Sequence, residues 1–185
     1  AAVHTEDPES TGEGKVVFSY EESYGYMVGD YVRDKDAVTA SLLLTEMAAH
    51  YAAQGMTVLD ALQALYEKHG FYGEKTHNLV MPGLDGLKDM AALMKRLREE
   101  PPRDIAGVAV VQFKDYADGS VVDCATGEKS SMELSGSNVL RFELADGTSI
   151  IVRPSGTEPK IKVYVLTKGA GAAERDANIA KYGQW

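Results

Sequence analysis

Between Val139 and Thr167 the chain spells out a run of strands that few folds can house. Leu140, Phe142 and Leu144 alternate with Arg141 and Glu143, the period of two expected when one face of a strand is buried. Asp146-Gly147 follows as a hairpin turn signal, Thr148–Val152 returns, and Ile161, Val163 and Val165 set apolar side chains on one face of a last strand. Ile105–Tyr116, with β-branched Val108, Val110 and Val111, is the strongest strand ahead of them. Asp118–Ser137 is rich in Gly and Ser and reads as a long loop. A short strand at Thr76–Met81 and a helix marked by Leu87, Met90, Ala91, Met94 and Leu97 precede this set; Pro101-Pro102 ends the helix. Ala172–Tyr182 has a weak helical pattern. The order strand, helix, four strands, helix gives an α+β unit: an antiparallel sheet of four to five strands with helices on one face.

The first part reads differently. Residues 1–14 are acidic and polar, with Pro8, Gly12 and Gly14, and read as a loop. Val16–Tyr20 is a strand. Asp34 or Asp36 can cap a helix running to about Gln54, with Val38, Leu42, Leu43, Met47 and Tyr51 on its apolar side. Thr57-Val58-Leu59-Asp60 opens a second helix that buries Leu59, Leu62, Leu65 and Tyr66 and stops at Gly70. Residues 72–75 look like the junction between this partial α/β unit and the sheet unit.

Two loops carry the chemistry. Arg153-Pro154-Ser155-Gly156-Thr157-Glu158-Pro159-Lys160 separates two strand-like runs. Arg offers a planar fork of donors matched to phosphate oxygens. Ser and Thr are short donors, and Gly lets backbone N–H groups approach an anion. The chain carries a net charge of −9, yet the window Ile150–Lys168 holds Arg153, Lys160, Lys162 and Lys168 against Glu158 alone. Lys160 and Lys162 share a strand face, so one of them can equally be a plain solvent-side lysine.

The second loop is Glu21-Glu22-Ser23-Tyr24-Gly25-Tyr26, followed by Arg33-Asp34-Lys35-Asp36. In an extended segment Glu21 and Ser23 point the same way, with Glu22 turned away. A carboxylate accepting from two O–H groups beside a hydroxyl that both donates and accepts suits sugar hydroxyls. Lys35 can add a cation at the same mouth.

Taken together, these motifs resemble the α-D-phosphohexomutases, the phosphoglucomutase and phosphomannomutase superfamily. Glu21-Glu22-Ser23-Tyr24-Gly25 is similar to the sugar-recognition loop of that family's third domain, Arg33-Asp34-Lys35-Asp36 to the basic stretch after it, and Arg153-Pro154-Ser155-Gly156-Thr157 to the phosphate loop of its fourth domain. The resemblance spans roughly Val16 to Thr167 and is strongest to the bacterial phosphoglucomutase branch that is similar to phosphopentomutases. One departure is Ser19-Tyr20, where close relatives often have Gly-Phe.

The resemblance implies a role for each residue. Glu21, Ser23 and, less directly, Glu22 bind sugar hydroxyls, with Arg33 and Lys35 beside them. Arg153, Ser155, Gly156 and Thr157 grip a phosphate, with Lys160 or Lys162 adding charge. It implies residues 1–73 as the end of the sugar-binding third domain and 74–185 as the phosphate-binding fourth. The family's phosphoserine and its Asp-rich Mg²⁺ loop have no counterpart here, so no catalytic and no metal-ligating residue is expected. The expectation is a C-terminal piece, inactive alone, of an enzyme that interconverts hexose or pentose 1-phosphate and 6- or 5-phosphate; Ala1-Ala2-Val3 without an initiator Met suits a cut piece. Mg²⁺ and glucose 1,6-bisphosphate would serve the whole enzyme, whose remaining N-terminal domains are the expected partners together with the phosphosugar. The alternative is a free-standing, non-catalytic phosphosugar-binding module.

Composition narrows what else is open. A pI of about 4.9 argues against nucleic acid. Lone Cys124 has no disulfide partner, and His4, His50, His69 and His77 show no ligand spacing. No apolar run is long enough to span a membrane and the N-terminus is not leader-like, so a cytoplasmic protein is expected.

Overall fold

The computed structural model describes residues 3–5, 15–21, 24–29, 32, 34–156 and 158–183. The chain divides into two compact units, Ala1–Leu65 and Tyr66–Trp185.

The first unit holds a three-stranded antiparallel sheet of β1 (Val3–Thr5), β2 (Lys15–Tyr20) and β3 (Tyr26–Val28). Val3–Thr5 is thus a strand inside a stretch read as loop, because β2 offers it a ladder. Next comes α1 (Ala37–Ala52), capped by Asp36, whose carboxylate accepts from the Val38 and Thr39 N–H groups. The Thr39 hydroxyl and those N–H groups hold the Asp36 carboxyl below its ordinary pKa. Then comes α2 (Val58–His69), which crosses the division between the units. Its start is a reciprocal box: the Thr57 N–H donates to Asp60 Oδ2 at 2.7 Å, and the Asp60 N–H donates to Thr57 Oγ1 at 3.1 Å. The apolar sides expected to be buried are not. α1 has no buried residue, and Val38, Leu42, Leu59 and Leu65 are all exposed. Only Ala61 of α2 is buried.

The second unit is built on one eight-stranded sheet. Its strands are β4 (Phe71–Val80), β5 (Asp104–Ile105), β6 (Val108–Asp115), β7 (Ser120–Asp123), β8 (Lys129–Ser131), β9 (Leu140–Leu144), β10 (Ser149–Pro154) and β11 (Lys160–Gly169). The order is β4-β11-β10-β9-β6-β7-β8, β5 pairs with β6, and every pairing is antiparallel. The α+β class holds, but the sheet is wider than four or five strands for three reasons. β4 runs for ten residues through 72–75, read as a junction, because β11 supplies partners along its whole length. The expected loop 118–137 contains β7 and β8. The single strand expected from Ile105 breaks at Ala106-Gly107, where φ of +52° and +76° turn the chain into a hairpin.

One face of this sheet carries the core. Leu140, Phe142 and Leu144 of β9, Ile150 and Val152 of β10, and Ile161 and Val165 of β11 pack with Met94 of α3 (Gly86–Glu99) and Tyr182 of α4 (Ala172–Tyr182). Both helices therefore lie on that face, as the alternation required. Two polar ties fasten them. Asp115, 3% exposed at the end of β6, takes the Arg98 guanidinium of α3 and the Ala117 N–H at 2.9 Å; Arg98 also donates to Asn138 at 2.9 Å. The Tyr182 hydroxyl donates to Asp146 in the β9–β10 turn. Burial first, and the Asp146 carboxylate next, push the Tyr182 pKa up to about 12. The other face is polar: Glu143 Oε1 meets Lys114 Nζ at 3.2 Å and Arg141 Nε at 2.8 Å, and its Oε2 accepts from the Ser149 hydroxyl at 2.5 Å.

Candidate functional site

In the first unit β2 delivers Glu21 and β3 takes the chain away. Between them the Glu21 N–H donates to the Gly25 carbonyl at 2.8 Å, closing a five-residue loop. Ser19, Tyr20, Glu21, Gly25, Met27, Asp34 and Lys35 line a recess of about 160 Å³. Lys35 reaches back over this loop. Its ammonium lies 3.2 Å from Glu21 Oε1 and 3.3 Å from Asp34 Oδ1, with all three side chains half or more exposed. Glu21 and then Asp34 raise the Lys35 pKa. The Lys35 backbone N–H first, and its ammonium next, hold the Asp34 carboxyl below its ordinary range. Gly25 makes the approach possible, since a Cβ there would sit 2.2 Å from Lys35 Cδ. The structure thus joins Glu21 and Lys35 directly and adds Asp34 and Gly25 to them. The only sequence signal for those two is their place inside the same motifs. Glu22, Ser23 and Arg33 lie outside the described residues.

In the second unit the loop between β10 and β11 is a pinned hairpin end. The Ser155 N–H donates to the Lys160 carbonyl at 2.8 Å, the Lys160 N–H to the Glu158 carbonyl at 2.7 Å, and the Met81 N–H to the Pro159 carbonyl at 2.8 Å. α3 begins against this corner: a Cβ on Gly86 would lie 2.2 Å from the Met81 carbonyl oxygen and 3.0 Å from Pro159 Cβ. Arg153 stands directly across from Lys162, and Lys162 across from Asn78. Directly opposed residues share a face, so a guanidinium, an ammonium and an amide form one row on the polar face beside the loop. Lys160 is engaged by Glu158 at 2.5 Å. Gly156 is exposed, with open space where a side chain would stand. Thr157 lies outside the described residues. Chemically, the row and the loop offer an anion charged donors at a fixed hairpin end.

An α+β fold with a helix-covered antiparallel sheet and a basic hairpin end defines the class; comparison with known proteins narrows it. The sequence pattern of the phosphoglucomutase/phosphomannomutase C-terminal domain matches residues 78–178, and that of the alpha/beta/alpha domain III of the same proteins matches residues 9–69. The chain belongs to the phosphoglucomutase/phosphomannomutase family. Phosphoglucomutase from Staphylococcus aureus strain bovine RF122 / ET3-1 is 38% identical over 153 residues, covering 83% of this chain and 28% of the relative. That of strain N315 is 37% identical over the same length and the same shares of both chains. The fold is shared with the crystal structure of pp63/parafusin, an exocytosis-sensitive phosphoprotein (phosphoglucomutase) from Paramecium, in its open form. There the TM-score is 0.54 at 18% identity, over 91% of this chain and 28% of that one. The chain thus spans little more than a quarter of the length of the relatives it matches. No helix among the described residues is long and apolar enough to cross a membrane.

Proposed function

We propose that this chain is the sugar- and phosphate-binding C-terminal portion of a phosphoglucomutase/phosphomannomutase-type enzyme. Such an enzyme interconverts hexose or pentose 1-phosphate and the 6- or 5-phosphate through a phosphoserine and a bisphosphorylated sugar, and the phosphoserine lies elsewhere in the whole protein. Residues 1–73 serve the sugar and 74–185 the phosphate. The observation that carries this reading is the Arg153–Lys162 row at the pinned hairpin end, inside the segment matched to the family's C-terminal domain.

Each part has a task. Arg153 supplies a planar donor fork, and Lys162 a second positive charge on the same face. Ser155, Gly156 and Thr157 supply short donors and backbone room, with Lys160 reserved by Glu158 until an anion competes for it. A phosphate of about −1.5 to −2 charges is the matching ligand, and a hydrogen bond to a charged group is worth roughly 1.5–3 kcal/mol. Glu21, with Glu22 and Ser23, reads sugar hydroxyls; Lys35 and Arg33 hold that loop's charge. Gripping the phosphate that is not reacting fixes the reacting end, a large share of phosphoryl-transfer catalysis. Mg²⁺ and glucose 1,6-bisphosphate belong to the whole cytoplasmic enzyme. Among the described residues no three His, Cys, Asp or Glu side chains gather as a cation site.

An NMR titration with glucose 1,6-bisphosphate tests the reading. Shifts centred on Ser155 and Gly156, abolished by Arg153→Ala, are the expected result, with no mutase turnover by the chain alone. Unchanged binding in Arg153→Ala would refute the phosphate assignment.

A further inference from the structure

Tyr24 sits at φ +64°. That left-handed region is unfavourable for a bulky L side chain and is usually left to Gly, Asn or Asp. A tyrosine held there within a protein generally gains something by packing. Tyr24 gains nothing of the kind: its side chain is 87% exposed. The loop that holds it is nevertheless closed, by the Glu21 N–H on the Gly25 carbonyl and by Lys35 lying across Gly25 onto Glu21. The geometry therefore presents an aromatic ring, three residues beyond Glu21 along the chain, that the described residues leave open. On the other side of Glu21, Tyr20 lines the recess and is itself half exposed.

A sugar has two kinds of surface. Its edge carries hydroxyls, for which a carboxylate is an acceptor; its face carries C–H groups, which only an apolar surface can desolvate. Aromatic rings supply that surface with few rotatable bonds, while the tyrosine hydroxyl stays in water. Glu21 serves the edge. We propose that Tyr24 is a sugar contact, its ring covering the C–H face of the sugar whose hydroxyls Glu21 accepts. This rests on the sugar-binding reading of the first unit and deepens it, since an aromatic platform selects for a ring with an open C–H face rather than for hydroxyls in general. The conformation that is unfavourable for Tyr24 leaves its ring 87% exposed in the loop that Glu21 opens.

The test is a residue-resolved NMR titration of the chain with glucose 1-phosphate, with inorganic phosphate as the reference probe. Glycine takes φ +64° without strain, so Tyr24→Gly keeps the loop closed while removing the ring. The apparent Kd for glucose 1-phosphate read at the Glu21, Gly25 and Met27 amides should rise about 3- to 10-fold in Tyr24→Gly. Tyr24→Phe should stay within about twofold of the parent chain, because the ring and not the hydroxyl makes the contact. The inorganic phosphate response at Ser155 and Gly156 should be unchanged in both. A parent-like Kd in Tyr24→Gly, or an equal loss in Tyr24→Phe, overturns the assignment while leaving the phosphate reading standing. Loss of the sugar-phosphate response at Glu21 in Glu21→Gln, alongside the Tyr24→Gly loss, supports it. No response at Glu21 and Gly25 in the parent chain overturns both the contact and the sugar reading of the first unit, and a Ser155 response that survives Arg153→Ala sinks the phosphate reading alone.

Discussion

Removing Arg98 should damage the second unit more than neutralising its partner Asp115. The two ends of this ion pair are unequally wet: the Asp115 side chain is 4% exposed and that of Arg98 is 32% exposed. Arg98→Met leaves a buried carboxylate held by the Ala117 N–H at 2.9 Å. An uncompensated buried charge costs about 3–5 kcal/mol. Asp115→Asn leaves the positive end instead, still donating to Asn138 at 2.9 Å and able to draw in water over its exposed third. The loss there is about 1–3 kcal/mol. Native-state amide exchange at Phe142, Ile150 and Val165 reads opening of this unit separately from the first. At about tenfold per 1.4 kcal/mol, Arg98→Met should speed exchange by roughly two to three and a half orders of magnitude, and Asp115→Asn by roughly one to two. Arg98→Met combined with Asp115→Leu should recover much of the loss, because an apolar pair leaves no buried charge. The reasoning fails if Asp115→Asn is the costlier change, or if neither variant accelerates exchange tenfold.

Tyr182 and Gly86 give two further outcomes. Folding raises the Tyr182 pKa from 10.0 to about 12, so its contribution is fully present below pH 10 and is lost as pH climbs through about 12. The amount is about 2–3 kcal/mol, and Tyr182→Phe should flatten that part of the stability profile when the two proteins are unfolded in urea side by side. Gly86→Ala drives a methyl against the Met81 carbonyl at 2.2 Å; backbone cannot yield as a flexible side chain does, so the Met81–Pro159 corner must shift. Weaker phosphate binding at Ser155 is expected together with a loss of about 1–3 kcal/mol, and parent-like binding would show that the corner does not shape the loop.

How much of this was legible beforehand depended on whether a signal was local. The alternation through Leu140, Phe142 and Leu144 and the Asp146-Gly147 turn are local, and both appear where the pattern put them. So does the Thr57–Asp60 box, while the cap that the sequence leaves open between Asp34 and Asp36 falls to Asp36. β8 is Lys129-Ser130-Ser131, wholly exposed, with no apolar residue to mark it; only β7 alongside makes it a strand. β4 mixes Glu74, Lys75, Thr76 and Asn78 among its apolar residues because it lies at the sheet's edge, and its length comes from β11. The apolar pattern of α1 and α2 marks both as helices, but a pattern cannot say whether anything covers it; in this chain Val38 and Leu59 stay bare. At the loops, residue types and spacing named Glu21, Lys35, Arg153 and Lys162. The Lys35–Asp34 contact, the strain at Tyr24 and the row formed with Asn78 come from three-dimensional closure and strand register, which no local window contains.

The ten-residue ladder between β4 and β11 also sets a mechanical order. The covalent path enters β4 at Phe71, which faces Gly169, where β11 hands over to α4. A pull applied through the chain on both sides of this pair loads neighbouring ends of two antiparallel strands, so the ladder peels open like a zipper, one rung at a time, rather than shearing along its length. The first rung to part is Phe71 against Gly169, and the last are Val80 against Lys160 and the Met81–Pro159 bond. The grip on the β10–β11 loop is therefore the final thing that tension reaches.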